Sequence, residues 1–300
     1  METGLILALV SAVSFAAGIV LVRKTAGEAG EAFSVTALSI STGIPFLTIA
    51  IFISGGWSDL FDISAKALLM LCATGVIHYI VGRLLAYDAF RLIGANRATP
   101  FTQTSPIYTM VLSWIFLQEN ITGFIIFGAL CMLAGAFLIT QEKKSLTGEK
   151  MEKFPRDTVR GILLALGAAL CWGITPVLIK PGVEEIGSSA AATFVSYATA
   201  AIIMGLLFLN RSRRKRFRQL SLKKNILPMS IAGLFTVAGQ LLYFTSLEHS
   251  PANIIAPLLS IQILFIFFFS FLVNRKIELF TPKVFIGMAA TVAGTFLLFQ

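Results

Sequence analysis

ANRATP, residues 95–100, and ANIIAP, residues 252–257, place Ala, Asn and Pro in one short pattern twice, 157 positions apart in a chain of 300. That spacing is about half the chain, and internal repetition decides an architecture before any local motif does. At the same offset GLILALVSAVSFAAGIVLVR (4–23) meets GILLALGAALCWGITPVLIK (161–180), so that Gly4 falls on Gly161, Ala8 on Ala165, Phe15 on Trp172 and Arg23 on Lys180. Thr36, Ser39 and Thr42 fall on Thr193, Ser196 and Thr199, and Gly82, Leu84 and Leu85 on Gly239, Leu241 and Leu242. After a slip of two, Glu119, Thr122, Gly128 and Ala134-Gly135 match Glu278, Thr281, Gly287 and Ala293-Gly294. The chain is one unit written twice, expected over 1–145 and 146–300.

Composition sets the solvent for that unit. Hydrophobic residues make up 56% and charged ones 13%, against about 25% charged in soluble chains. Ten apolar runs each approach the roughly 20 residues a helix needs to cross about 30 Å of hydrocarbon. They are Gly4 to Val22, Ser34 to Ser54, Ala67 to Phe90, Arg97 to Leu117, Ile121 to Thr140, Val159 to Lys180, Ser189 to Asn210, Ile226 to Leu247, Ala252 to Val273 and Pro282 to Phe299. Continuous runs exclude a barrel, whose strands alternate apolar and polar. The first run follows Glu2 and no positive charge, unlike a signal peptide, and is expected to stay as a span. The three cysteines lie inside apolar runs without metal-ligand spacing and are expected to be buried small residues; no cofactor is expected. The fold expected is an all-α integral membrane protein of ten transmembrane helices.

Of the 24 Lys and Arg, 21 lie in odd-numbered loops, which hold Arg23-Lys24, Arg91 and Arg97, Lys143 to Arg160, the run NRSRRKRFRQLSLKKN (210–225) and Arg275, Lys276 and Lys283. Even-numbered loops hold Lys66 and Lys180. Positive residues stay inside, so odd loops should face the cytoplasm and both termini the outside of the cytoplasmic membrane. The basic run between two spans is an orientation anchor beside anionic lipid rather than a nucleic-acid patch. Five spans per copy is an odd number, so the second copy enters from the opposite side. Inverted repeats that exchange shapes open a central site to one face and then the other.

Ten spans in two copies, each with Ala, Asn and Pro before one span and Glu, Thr and Gly before and within the next, resemble the EamA-type branch of the drug/metabolite transporter superfamily. The residues that carry the likeness are Ala89, Ala95, Asn96, Pro100, Pro106, Glu119, Thr122, Gly128 and Gly135, then Ala252, Asn253, Pro257, Glu278, Thr281, Gly287 and Gly294, with Trp172, Gly173 and Lys180. The resemblance implies export or exchange of small metabolites, amino acids or toxic compounds. It also implies a substrate surrounded by the first, third and fourth helices of each copy. One departure is Ile263, where the first copy has Pro106, so the ninth span is not expected to copy whatever the proline does to the fourth.

Polar groups inside spans are costly in lipid and usually face a cavity. Tyr79, Arg83 and Tyr87 share one α-helical stripe of the third span, and the repeat puts Thr236, Gln240 and Phe244 on the matching stripe of the eighth. A guanidinium suits a carboxylate or phosphate; alternatively Arg83 snorkels to the headgroups beside Arg91. Thr99, Gln103, Pro106 and Met110 share a face of the fourth span, where Pro106 is expected to bend the helix and free the Thr102 carbonyl. Trp172 and Thr175 of the sixth span and Gln262, with Ser260, of the ninth complete the candidate substrate contacts. Gly128 and Gly135, like Gly287 and Gly294, recur at seven-residue spacing as packing surfaces. His78 lies deep in its span, as a titratable group or a hydrogen-bonded packing residue; Asp88 and Glu248-His249 lie near span ends as solvated loop groups.

The expected partners are a small-molecule substrate and the lipid bilayer, in a monomer or homodimer. A secondary carrier of a small organic solute, an amino acid for example, fits these features. Multidrug or cationic efflux is the alternative within the same class. A membrane enzyme finds no support: Ser-His-Asp order, HExxH and paired intramembrane carboxylates are missing, as is the phosphate loop of a primary pump. A non-transporting scaffold would show no solute flux.

Overall fold

The computed structural model describes residues 2–26, 32–93, 98, 101–146, 156–210, 222–273 and 282–297. Every regular element among them is helical. The ten spans are α1 (Glu2–Ala26), α2 (Ala32–Ser54), α3 (Ala65–Thr74, Gly75–Gly82 and Arg83–Ile93 in succession), α4 (Ser105–Leu117), α5 (Gly123–Leu146), α6 (Arg156–Ile186), α7 (Ser189–Phe208), α8 (Leu222–His249), α9 (Ala252–Leu258, Leu259–Ile261 and Gln262–Val273) and α10 (Pro282–Leu297). Six are long and apolar enough to cross a bilayer uninterrupted; the apolar stretches of α4, α5, α9 and α10 are shorter. Large apolar side chains such as Ile53, Phe61, Leu69 and Phe296 are exposed on the outer surface, where lipid is the solvent. Tight connections use local chemistry. Gly187, at φ +70°, closes α6, and Ser188 then caps α7 by accepting the Ala191 N–H at 3.3 Å.

A pseudo-two-fold axis relates the halves, and it can be checked residue by residue because equivalent contacts recur across it. α1 packs along α8 and, equivalently, α6 along α3; α4 meets α6 as α9 meets α1. In the first pairing a Cβ on Gly4 would meet Ser250, and in the second one on Gly161 would meet Ile93; Gly4 and Gly161 are equivalent, as are Ser250 and Ile93. Gly239 lies under the Phe15 ring and Gly82 under Trp172, again an equivalent pair. Ten helices in two inverted five-helix repeats are therefore the architecture.

The α5–α10 seam lies on that axis. A Cβ on Gly135 would meet the Gly287 carbonyl, and one on Gly294 the Gly128 carbonyl. Small residues let the backbones touch, which is the main attraction available between helices in lipid. Gly135→Ala should gain up to about 1 kcal/mol of helix propensity but lose about 1–3 kcal/mol to overpacking against a backbone that cannot retreat. A net drop in thermal stability in detergent is expected. Gly205 in α7 has nothing within 4 Å of a built Cβ, so Gly205→Ala should instead stabilise by about 0.4–1 kcal/mol; the same melting assay gives opposite signs for the two.

Two expectations are corrected. Pro106 does not bend a continuous helix. The chain turns at Gln103-Thr104, and α4 starts afresh at Ser105 with the buried Pro106 in its first turn, where the missing N–H costs nothing. Nor does α9 run straight for want of that proline. It tightens to a 3₁₀ turn over Leu259–Ile261, the repeat equivalent of 102–104. Both fourth spans of the repeat are jointed at the same depth.

Candidate functional site

α3 departs from α-helical geometry over Gly75–Gly82, where it widens to a π-helical stretch. With i→i+5 bonding the side chains fall out of the 3.6-residue register, a feature that concentrates at functional sites. The consequence is local: His78 and Tyr79, adjacent in sequence, both face the second half of the chain. Gly75 and Gly82 lie at the ends of this stretch, and each has a neighbour pressed on it. A Cβ on Gly75 would strike the Ser196 carbonyl, and one on Gly82 the Trp172 ring.

From this widened turn a single chain of hydrogen bonds runs across the interface between halves. The Tyr79 hydroxyl donates to Gln240 Oε1 at 3.2 Å, and Gln240 Nε2 lies 3.1 Å from His78 Nε2. His78 Nδ1 lies 3.0 Å from Thr175 Oγ1, which donates to the Trp172 carbonyl at 2.9 Å. Because the Thr175 proton is committed to that carbonyl, Nδ1–H must be the donor to Thr175. Nε2 is then the acceptor for the amide, so the imidazole is neutral. Trp172 Nε1–H reaches the His78 carbonyl at 3.4 Å. Tyr79, Thr175 and Gln240 are buried, and five polar groups from α3, α6 and α8 satisfy one another.

Arg83 stands at the edge of this chain. Its guanidinium lies over the Tyr79 ring, 5.3 Å from the centroid, one turn further from the basic end of α3 than Arg83 itself, so it points back along the bundle instead of snorkelling out past Ile93. The Tyr197 ring of α7 lies 4.5 Å from that of Tyr79, and its buried hydroxyl, which makes no hydrogen bond of standard geometry, has the Arg83 side chain as its polar neighbour. Arg83 is half-buried, and no carboxylate among the described residues pairs with it.

Of the residues expected at the site, the structure thus brings together Tyr79, Arg83, Trp172, Thr175 and Gln240. Gln103 and Gln262, both half-buried, sit at or beside the two helix joints and take no part in the chain. Pro106 belongs to the α4 joint. The Tyr87 side chain, Thr99 and the ANRATP residues other than Ala98 lie outside the described residues. Two members were not expected as binding groups: His78, and Tyr197, which lies in a span that the substrate reading had left aside. Glu248 is tied to Ser189, and exposed His249 bonds its own Thr245 carbonyl. The cysteines are half-buried rather than buried, and Cys72 accepts from Thr199 at 3.2 Å.

The two-fold fails at this place. The equivalents of His78, Tyr79, Thr175 and Tyr197 are Phe235, Thr236, Gly18 and Ile40, and Thr236 spends its hydroxyl on the Ala232 carbonyl of its own helix. The hydrogen-bonded chain on this flank therefore has no counterpart of the same residues on the other.

Comparison with known proteins agrees with this architecture. An uncharacterised transporter of Bacillus subtilis, YvbV, is 31% identical over 145 residues, 47% of this chain and 46% of that protein. Human solute carrier family 35 member G1 is 22% identical over 193 residues, 62% of this chain and 50% of that protein. The chain spans about half the length of these relatives. A crystal structure superposes with a TM-score of 0.77 over 99% of this chain and 96% of the other, at 16% identity, which is a likeness of fold. The model of the EamA-like transporter family matches residues 2–141 and again 159–300, once for each half, and the chain belongs to that family.

Proposed function

We propose that the protein is a secondary carrier, an exporter or exchanger, that moves a small organic metabolite with an anionic group, such as an amino acid, across the cytoplasmic membrane by alternating access. The observation that carries this reading is Arg83, a half-buried guanidinium aimed into the bundle over Tyr79 with no carboxylate partner among the described residues. A charge held in such a place is retained for a ligand that pairs with it. Tyr79, Trp172, Thr175 and Gln240 hold the polar flank, while Gln103, Pro106 and Gln262 lie at the joints around which α4 and α9 move; Tyr87 follows Arg83 by four residues in the sequence. Cationic drugs are disfavoured, since Arg83 already covers the aromatic face a cation would seek. The work is displacement of a solute, with no bond made or broken.

The deciding experiment is counterflow in proteoliposomes, loaded and challenged with amino acids, dicarboxylates, sugar phosphates, nucleosides and cationic drugs. Carboxylated or phosphorylated solutes should exchange; movement of cationic drugs alone would overturn the reading. The charge bias of the odd loops supports termini on the outside, so a C-terminal alkaline phosphatase fusion should be active and a fluorescent-protein fusion dark.

A further inference from the structure

Glu119 recurs with the repeat, yet nothing in the site uses it. It sits between α4 and α5, in the first half of the chain. Its carboxylate accepts the Ala252 N–H at 2.8 Å and the Asn253 N–H at 2.9 Å, the opening residues of α9 in the second half. Those N–H groups have no partner inside their own helix, whose first bonds run from Ile254 and Ile255 to the Pro251 carbonyl. The negative charge also meets the positive pole of the helix. Asn253 Nδ2 adds a bond to the Asn120 carbonyl at 2.9 Å. Three hydrogen bonds between the halves thus meet at one point. Gln118, in the left-handed region at φ 53°, turns the chain so that Glu119 faces α9.

The rest of this corner is held from within the second half. Lys180 donates to the Leu247 and Ser250 carbonyls at the end of α8, each at 3.2 Å. Releasing Glu119 would therefore free the start of α9 from the α4–α5 connection while the end of α8 stays held. Beneath the contact the first segment of α9 packs on α4, with Met110, Ser113, Ile255 and Leu258 all buried. That segment, Ala252–Leu258, ends at the 3₁₀ joint, which supplies a pivot.

We propose that Glu119 is a positioning residue of the transport cycle: its carboxylate latches the α4–α9 seam shut on the side of the even-numbered loops, and the latch opens when the carrier faces that side. The inference rests on the alternating-access reading. The sequence places the same residue types at Ala95, Asn96 and Glu278, which lie outside the described residues.

The test uses the full chain with Cys72, Cys131 and Cys171 replaced, and one of two reporter cysteines. Ser113→Cys lies under the latch. Ala165→Cys lies in the buried cluster with Ala89, Ile93 and Ala98, toward the odd-numbered loops. A membrane-impermeant maleimide is applied to each face in turn. Glu119→Gln should raise the labelling rate at Ser113→Cys from the even-loop face on the order of tenfold, the effect of about 1.4 kcal/mol lost from the closed state, with no rise at Ala165→Cys from the other face. Ala252→Pro deletes one latch bond from the opposite partner at a helix position that tolerates proline, and should shift labelling in the same direction. An unchanged rate at Ser113→Cys in both variants overturns the latch, and so does an equal rise at both reporters, the mark of general loosening. Absence of counterflow for every solute in wild-type protein sinks the carrier reading instead, and labelling still judges the latch.

Discussion

Arg83→Gln should abolish counterflow of carboxylated solutes while the protein still folds and inserts. Glutamine keeps a polar, hydrogen-bonding side chain but is shorter than arginine and carries neither the charge nor the planar fork that grips two carboxylate oxygens. Removing one member of a desolvated charge pair costs about 2–5 kcal/mol, roughly thirtyfold to a few thousandfold in affinity. The loss should fall on solutes with an anionic group and spare the melting temperature, because Arg83 is bound to the fold by its contact with the Tyr79 ring and not by an ion pair. Arg83→Lys should fall between, keeping the charge without the fork. Undiminished exchange of carboxylates by the glutamine variant would remove Arg83 from the site.

Gln240→Leu acts on the fold and the site together. Gln240 is the joint of the polar chain: it accepts from Tyr79 and lies 3.1 Å from His78 Nε2, so leucine leaves two buried groups without partners. Such groups cost about 1–3 kcal/mol each. Coupling measured inside membranes runs nearer the low end, and about 2–4 kcal/mol for the pair is expected as a lower melting temperature. Tyr79→Phe removes one of the same bonds, so the two substitutions should combine to less than their sum in a double-mutant cycle. Strict additivity would mean that the chain does not act as a unit. Gln240→Glu separates shape from chemistry: a carboxylate still accepts from Tyr79 but cannot donate to a neutral imidazole, so only half the loss should be recovered.

What could be read from the residues followed from repetition and length. Ten spans, their inversion and the glycine seam of α5 and α10 are properties of pattern, and pattern survives without coordinates. The site was legible only in part, because a stripe drawn at 3.6 residues per turn assumes a uniform helix. The stretch Gly75–Gly82 breaks that assumption and turns His78 to the flank of Tyr79. Tyr197 was invisible for a different reason: only a long-range contact brings α7 beside α3. Ile263 misled in the opposite sense, since the absence of a proline at that position suggested no break in α9, whereas the joint at Leu259–Ile261 forms without it, two residues past Pro257. Glu119 was visible as a recurring letter; its meaning needed the helix end it caps.

The glycine contacts between α5 and α10 have a mechanical corollary. A contact lying on a two-fold axis is carried onto itself when the two halves trade conformations, whereas every off-axis pairing, α1 on α8 or α3 on α6, is carried onto a different one. In the proposed cycle the Gly135–Gly287 and Gly294–Gly128 touches can thus persist unchanged through a full turnover, a bearing that stays still while the parts around it swing.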